Sequence, residues 1–196
     1  YNNQLLIVKQ AIRAAFIKGD SVVDTDGQAS LAMALYFDLV EGEEAAQIAK
    51  RLVKVIEEDN YRFKVGILGM KALPNALSKY GYTNIAYKML NRYDYPSYGY
   101  WKKLGATTFW ESWQGDSSLN HPMYGDVLDW MHRNIAGLQN NGIAYDNCLI
   151  RPYFFDENCS AECTTRTPSG DISVQWTKQE KLFTDLAAKL KELTII

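Results

Sequence analysis

Three observations predict a mainly α-helical chain that becomes β-rich towards its end. Through residue 138, apolar side chains recur at helical spacing in successive runs, separated by short stretches bearing glycine or asparagine. After Gly142 the pattern turns strand-like, and Thr167-Pro168-Ser169-Gly170-Asp171 has the composition of a hairpin turn. With 47% hydrophobic residues in 196, there is ample material for a buried core.

The elements follow in order. Leu5, Leu6, Val8, Ile12, Ala15 and Phe16 predict a helix over 2–17, stopped by Gly19. Asp26 and Gly27 open a second helix, 28–39, and 43–58 is a third, amphipathic and bounded by Gly42 and Asn60. A fourth is expected over 66–80 despite Pro74, and a fifth over 83–92 with Thr83 as its N-cap. A sixth covers 122–138, with Pro122 at its start and Asn120 available as a cap. The helix starts keep no fixed period, which disfavours a solenoid of repeats. Strands are expected over 148–155, 161–166 and 172–176, and Leu182, Leu186, Leu190 and Leu193 return to helical spacing in the tail from Lys178. The division this predicts is 1–141, helical, and 142–196, β-rich with a terminal helix.

Composition narrows the function. The 23 acidic and 21 basic residues nearly cancel, and the basic ones form no stripe, so nucleic acid is not expected as a partner. The longest apolar stretch, 30–40, is interrupted by Asp38 and is far shorter than a membrane span; neither a membrane anchor nor a secretory leader is read. The chain opens at Tyr1, without an initiator Met, as expected of a piece of something longer, and the compartment is left open. Cys148, Cys159 and Cys163 are an odd number with no CxxC spacing and only two histidines elsewhere, so no metal site is expected. A Cys159 to Cys163 disulfide and free thiols both remain open, with free thiols preferred.

The chemistry concentrates between residues 97 and 121. One carboxylate, Glu111, and one imidazole, His121, stand among Tyr98, Tyr100, Trp101, Trp110 and Trp113, around a stretch rich in glycine and threonine. Sugar rings present apolar C–H faces that stack on Trp and Tyr, and hydroxyl edges that need a few placed polar groups, so this is the composition of a carbohydrate site. Trp113 reads equally as core and as pocket. His132 reads as a packing residue, and Asp94, Asp116 and Asp126 as turn or cap residues, with Asp116 a rival acid because of its closeness to Glu111.

The motifs Asp26-Gly27-Gln28-Ala29-Ser30, Gly66-Ile67-Leu68-Gly69, Tyr95-Pro96-Ser97-Tyr98-Gly99-Tyr100, Gly105-Ala106-Thr107-Thr108-Phe109-Trp110-Glu111 and Ser118-Leu119-Asn120-His121 resemble the C-terminal part of bacterial α-L-rhamnosidases of the six-hairpin glycosidase type. Leu149-Ile150-Arg151-Pro152 and Thr167-Pro168-Ser169-Gly170 resemble the β-sandwich that follows their barrel. The resemblance extends from residue 1 to about residue 177. It implies a partial (α/α)6 toroid of helical hairpins, followed by a small, incomplete β-sandwich-like segment.

It also implies an inverting glycoside hydrolase that removes terminal α-L-rhamnosyl groups without metal or organic cofactor. Glu111 would be the general base, and His121, Trp110, Trp101, Tyr100 and Asn120 would contact the sugar.

Two departures qualify the resemblance. Inverting hydrolysis uses two carboxyl groups about 6.5–9.5 Å apart, and the family's general acid has no match in this chain. Six helical runs are also too few to close a toroid, so self-association through the exposed half-barrel is expected. Two other readings stand beside the first: another six-hairpin glycosidase acting on uronic sugars, and a catalytically silent carbohydrate-binding or assembly module.

Overall fold

The computed structural model describes residues 1–22, 26–156 and 159–178. They form two compact units, Tyr1–Val127 and one that begins at Leu128. The expected division at 141/142 follows the change of sequence pattern. The unit boundary falls earlier because the turn at 131–136 and the strand after it associate with the later strands.

In the first unit, α1 (Asn2–Phe16) leads through a short hairpin of β1 (Ile17–Lys18) and β2 (Ser21–Val22) towards α2 (Gln28–Tyr36), α3 (Gly42–Glu58), α4 (Ile67–Lys79) and α5 (Thr83–Leu90). The core is the meeting of α2, α3 and α4. Helix α3 buries Ala45, Ile48, Ala49, Leu52 and Ile56, one stripe at three- and four-residue spacing, and leaves its charged face in water. Helix α2 contributes Leu31, Ala32 and Leu35, and α4 contributes Met70, Leu73, Ala76 and Leu77. Helix α4 runs through Pro74: burial of its apolar face outweighs the local loss of a backbone donor. Thr83 is the first residue of α5 and buried. Tyr82 holds the cap position, so the expected Thr83 cap is not formed. Helix α1 buries nothing. Arg13 ties it to the Leu39 carbonyl and to Glu44, both at 2.7 Å, while Leu5, Leu6, Ile7 and Val8 stay more than half exposed.

A buried amide fixes the turn between α3 and α4. Gln28, 1% exposed, donates from Nε2 to Asp59 Oδ2 at 2.9 Å and to the Arg62 carbonyl at 2.8 Å. Its Oε1 accepts the Lys64 N–H at 3.1 Å. That turn carries Asn60 and Tyr61 at φ of 53° and 59°, a conformation that needs outside support in residues other than glycine.

The chain from Pro122 onward takes a different course from the single helix expected over 122–138. Pro122–Gly125 is a 3₁₀ turn, α7 spans Asp126–Trp130, Met131–Ala136 is a π turn, and Leu138 already belongs to β3 (Leu138–Asn140). The cause is competition for carbonyls. Ile135 O accepts from Tyr153 N–H and from the Trp176 indole, and Gly137 O accepts from Arg151 N–H, so the helix cannot keep its own pairing there. Gly137 stops it at φ 91°, and an added Cβ would lie 2.2 Å from Pro152 N.

Strand β3 pairs with β4 (Cys148–Ile150), which is shorter than the 148–155 expected. β5 (Cys159–Thr167) and β6 (Gly170–Lys178) form the expected hairpin, turning at Pro168-Ser169. The three cysteines are free. Cys159 and Cys163 lie four residues apart in β5, about 13 Å at strand rise, beyond the reach of a disulfide. His132 bonds to Thr165 at 2.7 Å. The helix expected after Lys178 lies outside the described residues.

Replacing Gln28 by Leu keeps the volume but strands the Arg62 carbonyl and the Lys64 N–H. Unfolding in urea should show a loss of about 2–3 kcal/mol. An unchanged midpoint would mean that the turn holds without the amide.

Candidate active site

The stretch that reads as a loop in sequence begins with a helix, α6 (Tyr98–Lys103). Ser97 is fully buried at its cap, and its Oγ accepts the Tyr100 N–H at 3.0 Å. Gly99 permits the close passage of the chain: a Cβ there would meet the Arg92 carbonyl at 2.2 Å. Gly105, at φ 86°, turns the chain out of the helix, and the Ala106 N–H returns to the Trp101 carbonyl at 3.0 Å.

Residues 106–111 then run beside 118–121. The Glu111 N–H donates to Ser118 O at 2.9 Å, the His121 N–H to Phe109 O at 2.7 Å, and the Thr108 hydroxyl to Leu119 O. This irregular ribbon joins residues seven to twelve apart in sequence. Glu111 Oε2 lies 4.0 Å from His121 Nδ1, with the carboxylate side chain 42% exposed and the imidazole 29%. The Ser118 N–H donates to the same Oε2 at 3.2 Å.

The tip, residues 112–117, is closed from within. Ser112 Oγ accepts the N–H groups of Gly115 and Asp116 at 3.1 and 3.3 Å and donates to Asp116 Oδ1 at 2.5 Å. Asp116 therefore serves the turn. Gly115 sits at φ 75° against the ring of Trp110.

Under the ribbon lies a ring cluster. Trp113 stacks on Phe63 at 5.9 Å with 4° between planes, and Trp101 approaches Trp113 to 4.4 Å, with Tyr124 edge-on to both. Trp113 is core. Trp101, expected along the pocket, is only 2% exposed, and its Nε1 donates to Ser112 O at 3.1 Å and to Trp113 O at 3.2 Å. Tyr98 donates its hydroxyl to Tyr124 O at 2.8 Å, and burial pushes the phenol far above its ordinary range, so it stays a neutral donor.

Tyr100 meets Tyr95 edge-on at 5.4 Å, and Gln114 donates to the Tyr95 hydroxyl at 2.6 Å. Asn120 is exposed; its N–H faces Ser118 Oγ, and His121, not Asn120, holds the cap position of the following turn.

A cleft of about 380 Å³ opens beside the ribbon, lined by Tyr98, Trp101, Lys102, Thr107, Thr108 and Phe109, with Ala106 at its edge. Glu111 and His121 are not among its lining residues. Asp94 is bound by Arg92 at 2.5 Å and Arg62 at 3.0 Å, and the hydrogen bond from Arg92 holds its carboxyl below the usual range. Asp126 pairs with Lys71 at 3.5 Å. Among the described residues no group of three His, Cys, Asp or Glu could hold a metal ion, and no helix is long and apolar enough to cross a membrane.

Packed helices that carry the polar chemistry on a connecting ribbon, with aromatic rings beneath it, place the chain in the class of helical-hairpin glycosidase domains. Residues 1–135 match the bacterial alpha-L-rhamnosidase six-hairpin glycosidase domain, and the chain belongs to that family.

It is 33% identical over 187 residues to an α-L-rhamnosidase of Streptomyces avermitilis, covering 90% of this chain and 18% of that protein. A second, from Formosa agariphila, is 33% identical over 192 residues, covering 91% and 21%. The solved structure of the Streptomyces avermitilis enzyme complexed with L-rhamnose superimposes with a TM-score of 0.86 at 31% identity, covering 92% of this chain and 19% of that one. The chain thus spans about a fifth of the length of the curated relatives it matches. The family read from 105–111 and 118–121, and the helical-hairpin fold it implied, are confirmed.

Sequence reading missed α6, the closure of the tip by Ser112 and the role of the Ser118 N–H. Only the serine before Tyr98-Gly99-Tyr100 gave a local signal, as a cap residue. Gly115→Ala should be costly: the new Cβ would stand 2.6 Å from the Trp110 ring, at a positive φ. The expected result is a loss of about 1–2 kcal/mol in denaturant melts together with a shifted tryptophan emission. Wild-type emission and stability would mean that the tip yields freely.

Proposed function

We propose that this chain supplies the general base of an inverting glycoside hydrolase that releases terminal α-L-rhamnosyl groups. The observation that carries the reading is the Glu111 and His121 pair on the ribbon, 4.0 Å apart and open to solvent on one side. In this reading the Glu111 carboxylate takes a proton from a water molecule as that water's oxygen attacks the anomeric carbon, and the Ser118 N–H at 3.2 Å holds the carboxylate in orientation. His121 contacts a sugar hydroxyl, and Trp110, Tyr100 and Asn120 complete the sugar contacts.

The leaving oxygen needs a proton from a second carboxyl group about 6.5–9.5 Å from the first. The family resemblance implies that this acid lies in an earlier segment of the longer protein; Asp94, Asp116 and Asp126 each have a structural partner here. A relative solved with L-rhamnose supports the choice of sugar. Water activation by a carboxylate requires no cofactor.

The test is hydrolysis of an aryl α-L-rhamnoside by an N-terminally extended form of the protein, with and without Glu111→Gln. Loss of a general base costs on the order of 10²- to 10⁴-fold in kcat. An unchanged rate would remove Glu111 from the chemistry. The isolated chain should bind without turnover: L-rhamnose should alter its tryptophan fluorescence while the aryl rhamnoside stays intact, and a chain that cleaves it would contradict the missing acid.

A further inference from the structure

We propose that Trp101 is a positioning residue for Glu111, acting through the ribbon tip rather than through contact with sugar. The inference rests on the reading of Glu111 as base. Three observations lead to it. The Trp101 side chain, although it lines the cleft, is almost wholly buried. Its one polar atom, Nε1, is shared between the carbonyls of Ser112 and Trp113, the two residues that directly follow Glu111. The ring itself is fixed on several sides, by Tyr98 at 5.5 Å, Trp113 at 4.4 Å and Tyr124 at 5.4 Å.

The geometry has a direct consequence. A buried indole N–H usually finds an acceptor, and for Trp101 the acceptors are the backbone at the point where the chain leaves the carboxylate, whereas the buried Trp113 Nε1 has none. From there Ser112 folds the tip back so that Ser118 pairs with Glu111 at both the backbone and the side chain. The indole is therefore the link between the helical core and the orientation of the Glu111 carboxylate. Without the N–H, two carbonyls lose a donor, and the backbone that follows Glu111 is held there only through the packing of the Trp113 ring.

Trp101→Phe keeps an aromatic ring and removes the donor. In the extended protein used for the Glu111 test, kcat should fall by about 10²-fold, the scale of a displacement of about 1 Å at a reacting group, with KM changed by less than about 2-fold. The deciding measurement is the double variant. A residue that acts through Glu111 has nothing left to act on once Glu111 is Gln, so Trp101→Phe should change the residual rate of Glu111→Gln by less than about 2-fold.

Losses that multiply in the double variant would make Trp101 ordinary core and overturn the proposal, as would a single variant with unchanged kcat. If Glu111→Gln alone leaves the rate intact, the base reading itself falls and this one with it, whereas a large effect of Glu111→Gln beside a silent Trp101→Phe overturns the positioning role only. Should Trp101→Phe prove unfolded by circular dichroism, 3-benzothienylalanine at position 101 keeps the bicyclic shape without the N–H and carries the same cycle.

Discussion

A buried indole that must satisfy its N–H governs the active end of this molecule. Burying Trp101 against Tyr98, Trp113 and Tyr124 gains a large apolar area, but only if the one donor on that ring keeps a partner. The partner is the backbone of Ser112 and Trp113. Core formation and placement of the ribbon are thereby a single event: the rings cannot close without drawing the chain that follows Glu111 down onto them. The same logic operates at Gln28, whose amide can be buried only when the turn before α4 offers a carboxylate, a carbonyl and an N–H in one place. In both cases a polar atom inside an apolar contact selects one loop geometry among many that would bury the same area.

How much of this was legible in the sequence depends on whether the signal was periodic or tertiary. Helices α2, α3 and α4 were legible because their apolar stripes repeat at three and four residues, and α4 was legible even through Pro74, whose ring is buried with the stripe. The hairpin of β5 and β6 was legible from alternation and from the turn residues between. Helix α6 was hidden, since Gly99 and five aromatic or basic neighbours carry no stripe and the helix forms because Ser97 caps it and Gly99 fits under Arg92. The break at 131–138 was hidden for the opposite reason. Its apolar pattern is helical, and only the later strands, by claiming the carbonyls of Ile135 and Gly137, cut it short.

The candidate site divides along the same line. Glu111 and His121 were named from motifs; their neighbourhood in space follows from a ribbon that no short spacing announces. Trp101, Trp110 and Trp113 were indistinguishable by composition, because an indole serves equally as core, as wall and as donor. The structure separates them: Trp113 is stacked on Phe63, Trp101 holds the tip by its N–H, and Trp110 lies against Gly115. What sorts them is which ring finds a backbone acceptor, a property of the folded chain.

The carboxylates of this unit differ in their partners. Asp94 sits between two guanidinium groups, Asp26 is bound by Arg51 at 2.5 Å, and Asp38 and Asp59 are held by Lys79 and Lys64. At Asp94 the hydrogen bond from Arg92 holds the carboxyl below its usual range, and in every such pair the cation takes up room that water would need. Glu111 has a different set of neighbours: one backbone N–H on Oε2, one imidazole at 4.0 Å, and among the described residues no Lys or Arg within ion-pair distance. One donor is enough to fix the direction of the group while leaving most of its lone pairs uncommitted. Orientation without neutralisation is what a general base requires, and this is the physical ground on which Glu111 is proposed for that role.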